Sequence, residues 1–156
     1  MPLARYKNLA SAKKQSILHS AEREFSEHGF DRASLNRLVS NAGFSKGSFY
    51  YYFEDKGDLF VTVLEAHFPS RVWLDQSGLL TAGGSSAFWA AFRSYLMTQY
   101  EHIGHHPRSA HLLSALDGLS EAHFATTSLH AHRARTVAEM TEVVERGRQV
   151  DAVRSD

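Results

Sequence analysis

Two short runs of helical periodicity, separated by a glycine, constrain the fold of this chain more than any other feature. Four apolar residues are spaced at i, i+3, i+4 and i+7 and so share one face of a helix: Leu35, Leu38, Val39 and Ala42. Ser34 can cap that helix, Gly43 breaks it, and Ser45 can cap another helix that carries Phe49 and Phe53. The sequence therefore predicts two short helices joined by the turn Ala42-Gly43-Phe44.

The rest of the chain also has the patterning of helices. No stretch alternates strictly between apolar and polar residues, and neither Asn-Gly nor Asp-Gly marks a hairpin. A helix is predicted from Ser11 to His28, with Gly29 as its stop. Further helices are predicted from Asp55, whose helix Pro69 ends or kinks, and, after a Gly/Ser-rich loop at 77–86, over 87–102, 107–119 and 127–149. The predicted fold class is all-α.

Composition excludes several classes of protein. The chain has 156 residues, 43% of them hydrophobic, so it can bury a core, and it has no cysteine for a disulfide or a thiol nucleophile. No apolar run approaches the roughly 20 residues of a membrane span, so a cytoplasmic protein without membrane partners is expected. The net charge is zero, but residues 1–56 hold nine Lys and Arg against six Asp and Glu. This basic part could face a polyanion, although so small an excess can arise by chance.

The two short helices have the layout of a helix-turn-helix that reads duplex DNA. The second of them is roughly 10 Å long, short enough to enter a major groove about 12 Å wide. Its first turn offers two hydroxyls, one cation and a glycine that permits close approach to another surface: Ser45, Lys46, Gly47 and Ser48. Tyr50, Tyr51 and Tyr52 then span about 200° of the helix, so at least one hydroxyl points outward, where phosphates are suitable acceptors. Lys56 adds a cation.

The residues that carry this pattern resemble the tetracycline-repressor (TetR) family of bacterial regulators. The resemblance extends over about residues 11–65 and rests on an ordered set of segments: Ala21-Glu22-Arg23-Glu24-Phe25, Gly29-Phe30-Asp31, Ala33-Ser34-Leu35, the run from Ala42 to Phe53, Asp55-Lys56 and Leu59-Phe60. It implies an N-terminal three-helix DNA-binding domain at 1–55 and a helical effector-binding and dimerisation domain at 56–156. It also implies a homodimer that binds a palindromic operator and most often represses transcription.

The resemblance assigns roles to matched positions. Ser34 and Arg37 would touch the DNA backbone from the second helix, and Ser45, Lys46, Gly47 and Ser48 would face the groove. Tyr50 and Tyr51 would contact phosphates, Lys56 would add a backbone contact, and Tyr52 stands where the family often has histidine. The chain is shorter than usual members, whose last two helices form the dimer, so the resemblance also implies a truncated second domain or a different dimer.

The second half is rich in aromatic and apolar residues that could line an effector pocket or could equally form an ordinary core. The candidates are Trp73, Phe88, Phe92, Tyr95, Met97 and Leu113. Four histidines lie close in sequence at positions 102, 105, 106 and 111, but Gly104 and Pro107 interrupt any shared helical face. Solvated surface histidines are therefore expected rather than a metal site, and no cofactor is predicted.

Two other functions remain as alternatives to an effector-controlled regulator. An enzyme is disfavoured because the sequence has no Gly-x-Ser-x-Gly elbow, phosphate loop, Rossmann glycines or His-Glu-x-x-His. A DNA-binding module without effector control is the nearer alternative. A filled core in the second domain would favour such a module, whereas a pocket that holds a small molecule would argue against it.

Overall fold

A computed structural model describes residues 2–125 and 127–154, and in this range the chain is helical and contains no strand. The all-α fold expected from the sequence is confirmed. In chain order the α-helices are α1 (Ala4–Lys7), α2 (Ser11–Arg32), α3 (Leu35–Asn41), α4 (Lys46–Tyr52), α5 (Lys56–His67), α6 (Ser70–Gln76), α7 (Ser85–His105), α8 (Pro107–Asp117) and α9 (Thr127–Gln149). Short 3₁₀ turns occupy Leu79–Thr81 and Glu121–Ala125. None of the described helices is long and apolar enough to cross a membrane.

Most helix boundaries lie where the sequence predicts them. Gly29 interrupts α2 with a φ of 70°, a left-handed conformation that favours glycine, and a short helical piece then continues to Arg32. Phe30, just after this break, is buried in the core, and the centroid of its ring lies 6.2 Å from that of Phe25. Two helices were not predicted, α1 and α6. Both are too short to show a clear apolar period, and a helix of this length depends on packing for its stability.

By packing, the described residues divide into two compact units that are not continuous in sequence. The first contains the described part of Met1–His67 and of His106–Ala131. Here α8 lies along α2, and α3, α4 and α5 pack with them. The largest fully buried side chains of this unit are at most 1% exposed: Ile17, Phe25, Leu38, Phe49, Phe53, Leu59, Phe60, Leu112 and Leu129. The division predicted after residue 55 is a functional one and stays a prediction.

The second unit contains Phe68–His105 and the described part of His132–Asp156. Its core gathers side chains from α6, the 3₁₀ turn at Leu79–Thr81, α7 and α9: Leu74, Leu79, Ala82, Phe88, Tyr95 and Val143. Arg146 of α9 closes one end of this core, because its guanidinium Nε donates to the Ala82 carbonyl at 3.0 Å. Ser70 joins α6 to α9 through a hydrogen bond to Glu139 of 2.8 Å.

Gly147 is required by packing in this unit. A Cβ at this position would lie 2.6 Å from Cγ2 of Val153 and 3.0 Å from the ring of Phe88, which is buried. We expect Gly147→Ala to lower the free energy of unfolding by about 1–2 kcal/mol, as overpacked core substitutions do. Gly104→Ala in α7 is the matched control, since nothing lies within 4 Å of a Cβ there. It should instead raise stability by about 0.5–1 kcal/mol. Urea denaturation measures the free energy of unfolding of both variants, which should fall for Gly147→Ala and rise for Gly104→Ala. Equal changes in the two variants would contradict the packing role of Gly147.

Candidate nucleic-acid interface

The turn between α3 and α4 has the hydrogen bonds of a compact helix-turn-helix. The Ser34 hydroxyl accepts the N–H of Arg37 at the start of α3, and the Ser45 hydroxyl accepts the N–H of Ser48 at the start of α4. Gly43 adopts a φ of 67° between them, which confirms it as the helix break. Both predicted caps are therefore confirmed, and they fix where α4 begins and which residues occupy its first turn.

Three serine and lysine side chains of α2, which sequence reasoning missed, hold this turn in place. Ser20 donates to the Leu38 carbonyl at 2.9 Å, Ser16 to the Ala42 carbonyl at 3.2 Å and Lys13 to the Gly43 carbonyl at 3.3 Å. The bonds from Ser16 and Lys13 satisfy carbonyl groups in the turn just beyond α3, where no further turn of helix supplies a donor. The Leu38 carbonyl accepts both the Ser20 hydroxyl and the N–H of Ala42. The spacing of Ser16 and Ser20, four residues apart on one helix face, is the signal that could have identified them.

The first turn of α4 lies at the surface. Ser45, Lys46 and Gly47 are exposed, while Ser48 is half-buried. Phe49 and Phe53 face the other way, fully buried, with ring centroids 5.4 Å apart. Burial of these two rings determines which side of α4 is presented to solvent, so the polar turn predicted to face a DNA groove is available to do so.

The three consecutive tyrosines of α4 differ in exposure, as their spacing around the helix requires. Tyr50 and Tyr51 are 52% and 51% exposed, whereas Tyr52 is half-buried. The ring of Tyr51 lies 5.1 Å from that of Tyr52 at nearly a right angle. Two large aromatic side chains that present half of their surface to water can offer both hydroxyls to acceptors outside the protein.

Gly47 is not needed by the fold of the chain itself. Its φ is not positive, and a Cβ there would meet only the Ser45 hydroxyl, at an ordinary 3.7 Å. A glycine within a helix nevertheless costs about 1 kcal/mol relative to alanine. The absent side chain leaves the backbone on the exposed side of α4 open to close approach by another molecule.

Arg37 forms an ion pair within the protein. Its guanidinium Nε donates to both carboxylate oxygens of Glu24, at 3.0 and 3.2 Å, and Glu24 also accepts the N–H of Ser34. Burial by itself would raise the pKa of Glu24, but the hydrogen bonds from Arg37 and Ser34 and the charges of Arg37 and His28 lower that pKa below its usual value. About half of the Arg37 side chain stays exposed. The contact of Arg37 with DNA stays a prediction, and the exposed half of its side chain leaves room for that contact while the ion pair with Glu24 is kept.

Lys56 is also engaged within the protein. Its ammonium donates to the carbonyl groups of Phe30, Asp31 and Ala33 at 2.7, 3.2 and 3.4 Å and lies 4.6 Å from the centroid of the Phe30 ring. Burial lowers the pKa of Lys56, against a smaller effect of the nearby carboxylates. Lys56 thus stabilises the C-terminal end of α2, and its predicted contact with the DNA backbone remains untested.

The six candidate pocket residues do not form one group. Trp73, Phe88, Phe92 and Tyr95 all belong to the packed core of the second unit. Met97 is 47% exposed, and Leu113 belongs to the first unit. Two described clefts, of about 190 and 360 Å³, are lined by other residues, the first at the ends of α2 and α8 and the second along α9. The effector pocket therefore stays a prediction.

The histidines of the described residues are not arranged as a metal centre. Within residues 2–125 and 127–154, no group of three or more His, Asp or Glu side chains is arranged to hold a metal ion. His102 instead packs against the rings of Phe68 and Trp73, and the Nε2 of His123 donates a hydrogen bond of 2.6 Å to the Asp31 carboxylate. These contacts give both side chains a structural role.

Comparison with known protein families identifies the same part of the chain. Residues 17–63, which include α3 and α4, match the family model of bacterial regulatory proteins of the tetR family. Over 53 residues the chain is 40% identical to the HTH-type transcriptional repressor AcnR of Corynebacterium diphtheriae, a match that covers 34% of this chain and 28% of AcnR. Over 110 residues it is 29% identical to the probable acrEF/envCD operon repressor of Escherichia coli K12, covering 66% of this chain and 46% of that protein. These matches thus span less than half of each curated relative.

Solved structures extend the likeness in fold to most of the chain. The protein in the SmeT–triclosan complex superposes with a TM-score of 0.66 at 22% sequence identity, covering 90% of this chain and 68% of that one. At this identity the match establishes a shared fold and nothing further. The second unit therefore has the helical architecture found in that structure, beyond the residues that the family model matches.

Proposed function

The chain is a member of the tetR family of bacterial regulatory proteins, and from this premise we propose that it represses transcription by inserting α4 into the major groove of an operator. The observation that carries the proposal is the exposed turn Ser45-Lys46-Gly47-Ser48, held by two caps on a buried pair of phenylalanines. Tyr50 and Tyr51 would contact phosphates beside it, and Tyr52, Ser34, Arg37 and Lys56 would supply further contacts. Family membership leaves no role for the enzyme alternative.

A homodimer on a palindromic operator is part of the proposal. A helix-turn-helix dimer reads two half-sites about one helical turn, or 34 Å, apart. A seven-residue recognition helix contacts few base pairs, so two copies would supply the affinity and sequence length that one copy lacks. Since the partner is chromosomal DNA, the proposed site of action is the cytoplasm.

Control by a small effector is the finer part of the proposal. An effector that binds better to an arrangement in which the two α4 helices are separated differently would release DNA. The support is a fold shared with a protein solved with triclosan, together with the aromatic residues of the second unit. Because these aromatic residues pack into the core of the second unit, the second candidate is a DNA-binding module without effector control. Operator affinity that does not change across a panel of apolar aromatic compounds would favour the module.

Selection from a random duplex DNA library with the 156-residue chain tests the DNA-binding proposal, and an enriched inverted repeat is the expected result. If Lys46 neutralises a phosphate, Lys46→Ala should, for each copy that binds, lower the affinity for that duplex about eightfold at 0.1 M salt. It should also reduce the slope of log affinity against log salt concentration by about 0.9 per copy. Lys46→Arg keeps the charge and should keep the slope. A single enriched half-site would contradict the dimer, and no enrichment would contradict the proposed function.

A further inference from the structure

The N-terminal segment packs against the far end of the proposed recognition helix. The N–H of Leu3 donates to the Tyr52 carbonyl at 3.0 Å, and Tyr6, only 7% exposed, lies with its ring 5.0 Å from that of Phe53. The Lys14 ammonium of α2 donates to the carbonyl of Lys7 at 2.8 Å. These contacts fix α1 against α4 within the first compact unit, so a side chain on α1 has a defined place beside α4.

Arg5 is the cation that this packing brings to α4. Its guanidinium carbon lies 4.6 Å from the centroid of the Tyr51 ring, and both side chains are exposed. Among the residues that the structure describes, no carboxylate lies within ion-pair distance of Arg5. The guanidinium therefore lies over an aromatic face, and no carboxylate of the described residues neutralises its charge.

This geometry suits recognition of a phosphate. Stacking on a ring covers the flat face of a guanidinium but leaves the N–H groups at its edge available for hydrogen bonds. Phosphate oxygens accept such N–H groups in pairs, and a guanidinium already held in place loses less conformational freedom when it binds. Tyr51 itself lies on the exposed side of α4, next to the turn that carries Lys46.

We propose that Arg5, held over Tyr51, is a further DNA-contacting residue that binds a backbone phosphate beside the groove that α4 enters. Tyr51 acts on this contact as a positioning residue. The inference rests on the proposed function, because it extends the same DNA-binding surface from α4 to the N-terminal segment. The surface then includes a cation from a part of the chain that lies outside the helix-turn-helix itself.

The test measures the affinity for the library-selected duplex as a function of salt. Affinity for duplex DNA falls as salt concentration rises. Each phosphate that the protein neutralises makes the slope of log affinity against log salt concentration steeper by about 0.9. For each copy that binds, Arg5→Ala should therefore reduce the slope by about 0.9 and weaken binding about eightfold at 0.1 M salt, with the difference vanishing toward 1 M. Circular dichroism should be unchanged, since Arg5 and Tyr51 are exposed.

Lys7→Ala is the matched control. It removes the same charge from the same short helix, but residues two apart on a helix point about 200° away from each other. Its slope should equal that of the wild type. Equal slope changes for Arg5→Ala and Lys7→Ala would mean that only the general charge of the segment matters, and that result would overturn the inference.

A second pair of variants separates positioning from charge. Tyr51→Phe keeps the ring, so the effect of Arg5→Ala should persist in that background. Tyr51→Ala removes the ring, so the effect of Arg5→Ala should shrink there. If the wild type binds the duplex and Arg5→Ala keeps the wild-type slope, this inference is wrong while the proposed function stands. If the wild type binds no duplex, the proposed function fails and this inference fails with it.

Discussion

Replacement of Phe25 by alanine is expected to lower the free energy of unfolding by about 3–5 kcal/mol, the usual cost of removing a buried phenyl ring. Phe25 is fully buried in α2, and its ring meets that of Phe60 edge-on, with the centroids 4.8 Å apart. The substitution leaves a cavity at the point where α2 packs on α5. Urea denaturation measures the loss, and the thermal midpoint should fall by roughly 6–20 °C for a chain of this size.

Two controls show whether cavity formation explains this loss. Phe25→Leu fills most of the space and should cost only about 1–1.5 kcal/mol. Tyr100→Ala removes an aromatic side chain that is 74% exposed and should change stability by less than about 0.5 kcal/mol. If Phe25→Ala cost no more than Tyr100→Ala, the core of the first unit would be described wrongly.

The second large effect is expected at Glu24, where Glu24→Gln should lower the free energy of unfolding by about 1.5–3 kcal/mol at pH 7. The glutamine keeps the shape of the side chain but loses the charge that accepts the N–H groups of Arg37 and Ser34, and hydrogen bonds to a charged group contribute about this much. Glu27→Gln makes the same change on an exposed position of α2 and should stay within about 0.5 kcal/mol of the wild type.

The pH dependence of this difference identifies its cause. The folded protein holds the pKa of Glu24 below its usual value, so the carboxylate adds stability above the unfolded-state pKa of about 4.3. That stability is lost as the pH falls through the lowered folded-state pKa. The gap between the wild type and Glu24→Gln should therefore close in acid, because a protonated Glu24 resembles glutamine. A gap that is constant from pH 7 to pH 3 would mean that packing, rather than charge, accounts for the loss.

The sequence was sufficient to predict α3, α4 and the turn between them. The caps at Ser34 and Ser45 and the break at Gly43 each depend on residues three to five positions away. The shared face of Phe49 and Phe53 likewise follows from their spacing of four residues. Residue type and spacing determine such short-range features, because a cap or a left-handed glycine acts on its own turn of helix.

Only the tertiary structure decided how the charged side chains of this surface are used. Arg37 and Lys56 look alike in the sequence as cations beside the helix-turn-helix, yet Arg37 pairs with Glu24, 13 residues away, and Lys56 binds a carbonyl 26 residues away. The docking of α1, which places Arg5 over Tyr51, likewise depends on contacts between segments far apart in the chain. The physical reason is that the environment of a long charged side chain is determined by the neighbours that folding brings to it, whereas helical periodicity records only which face is buried.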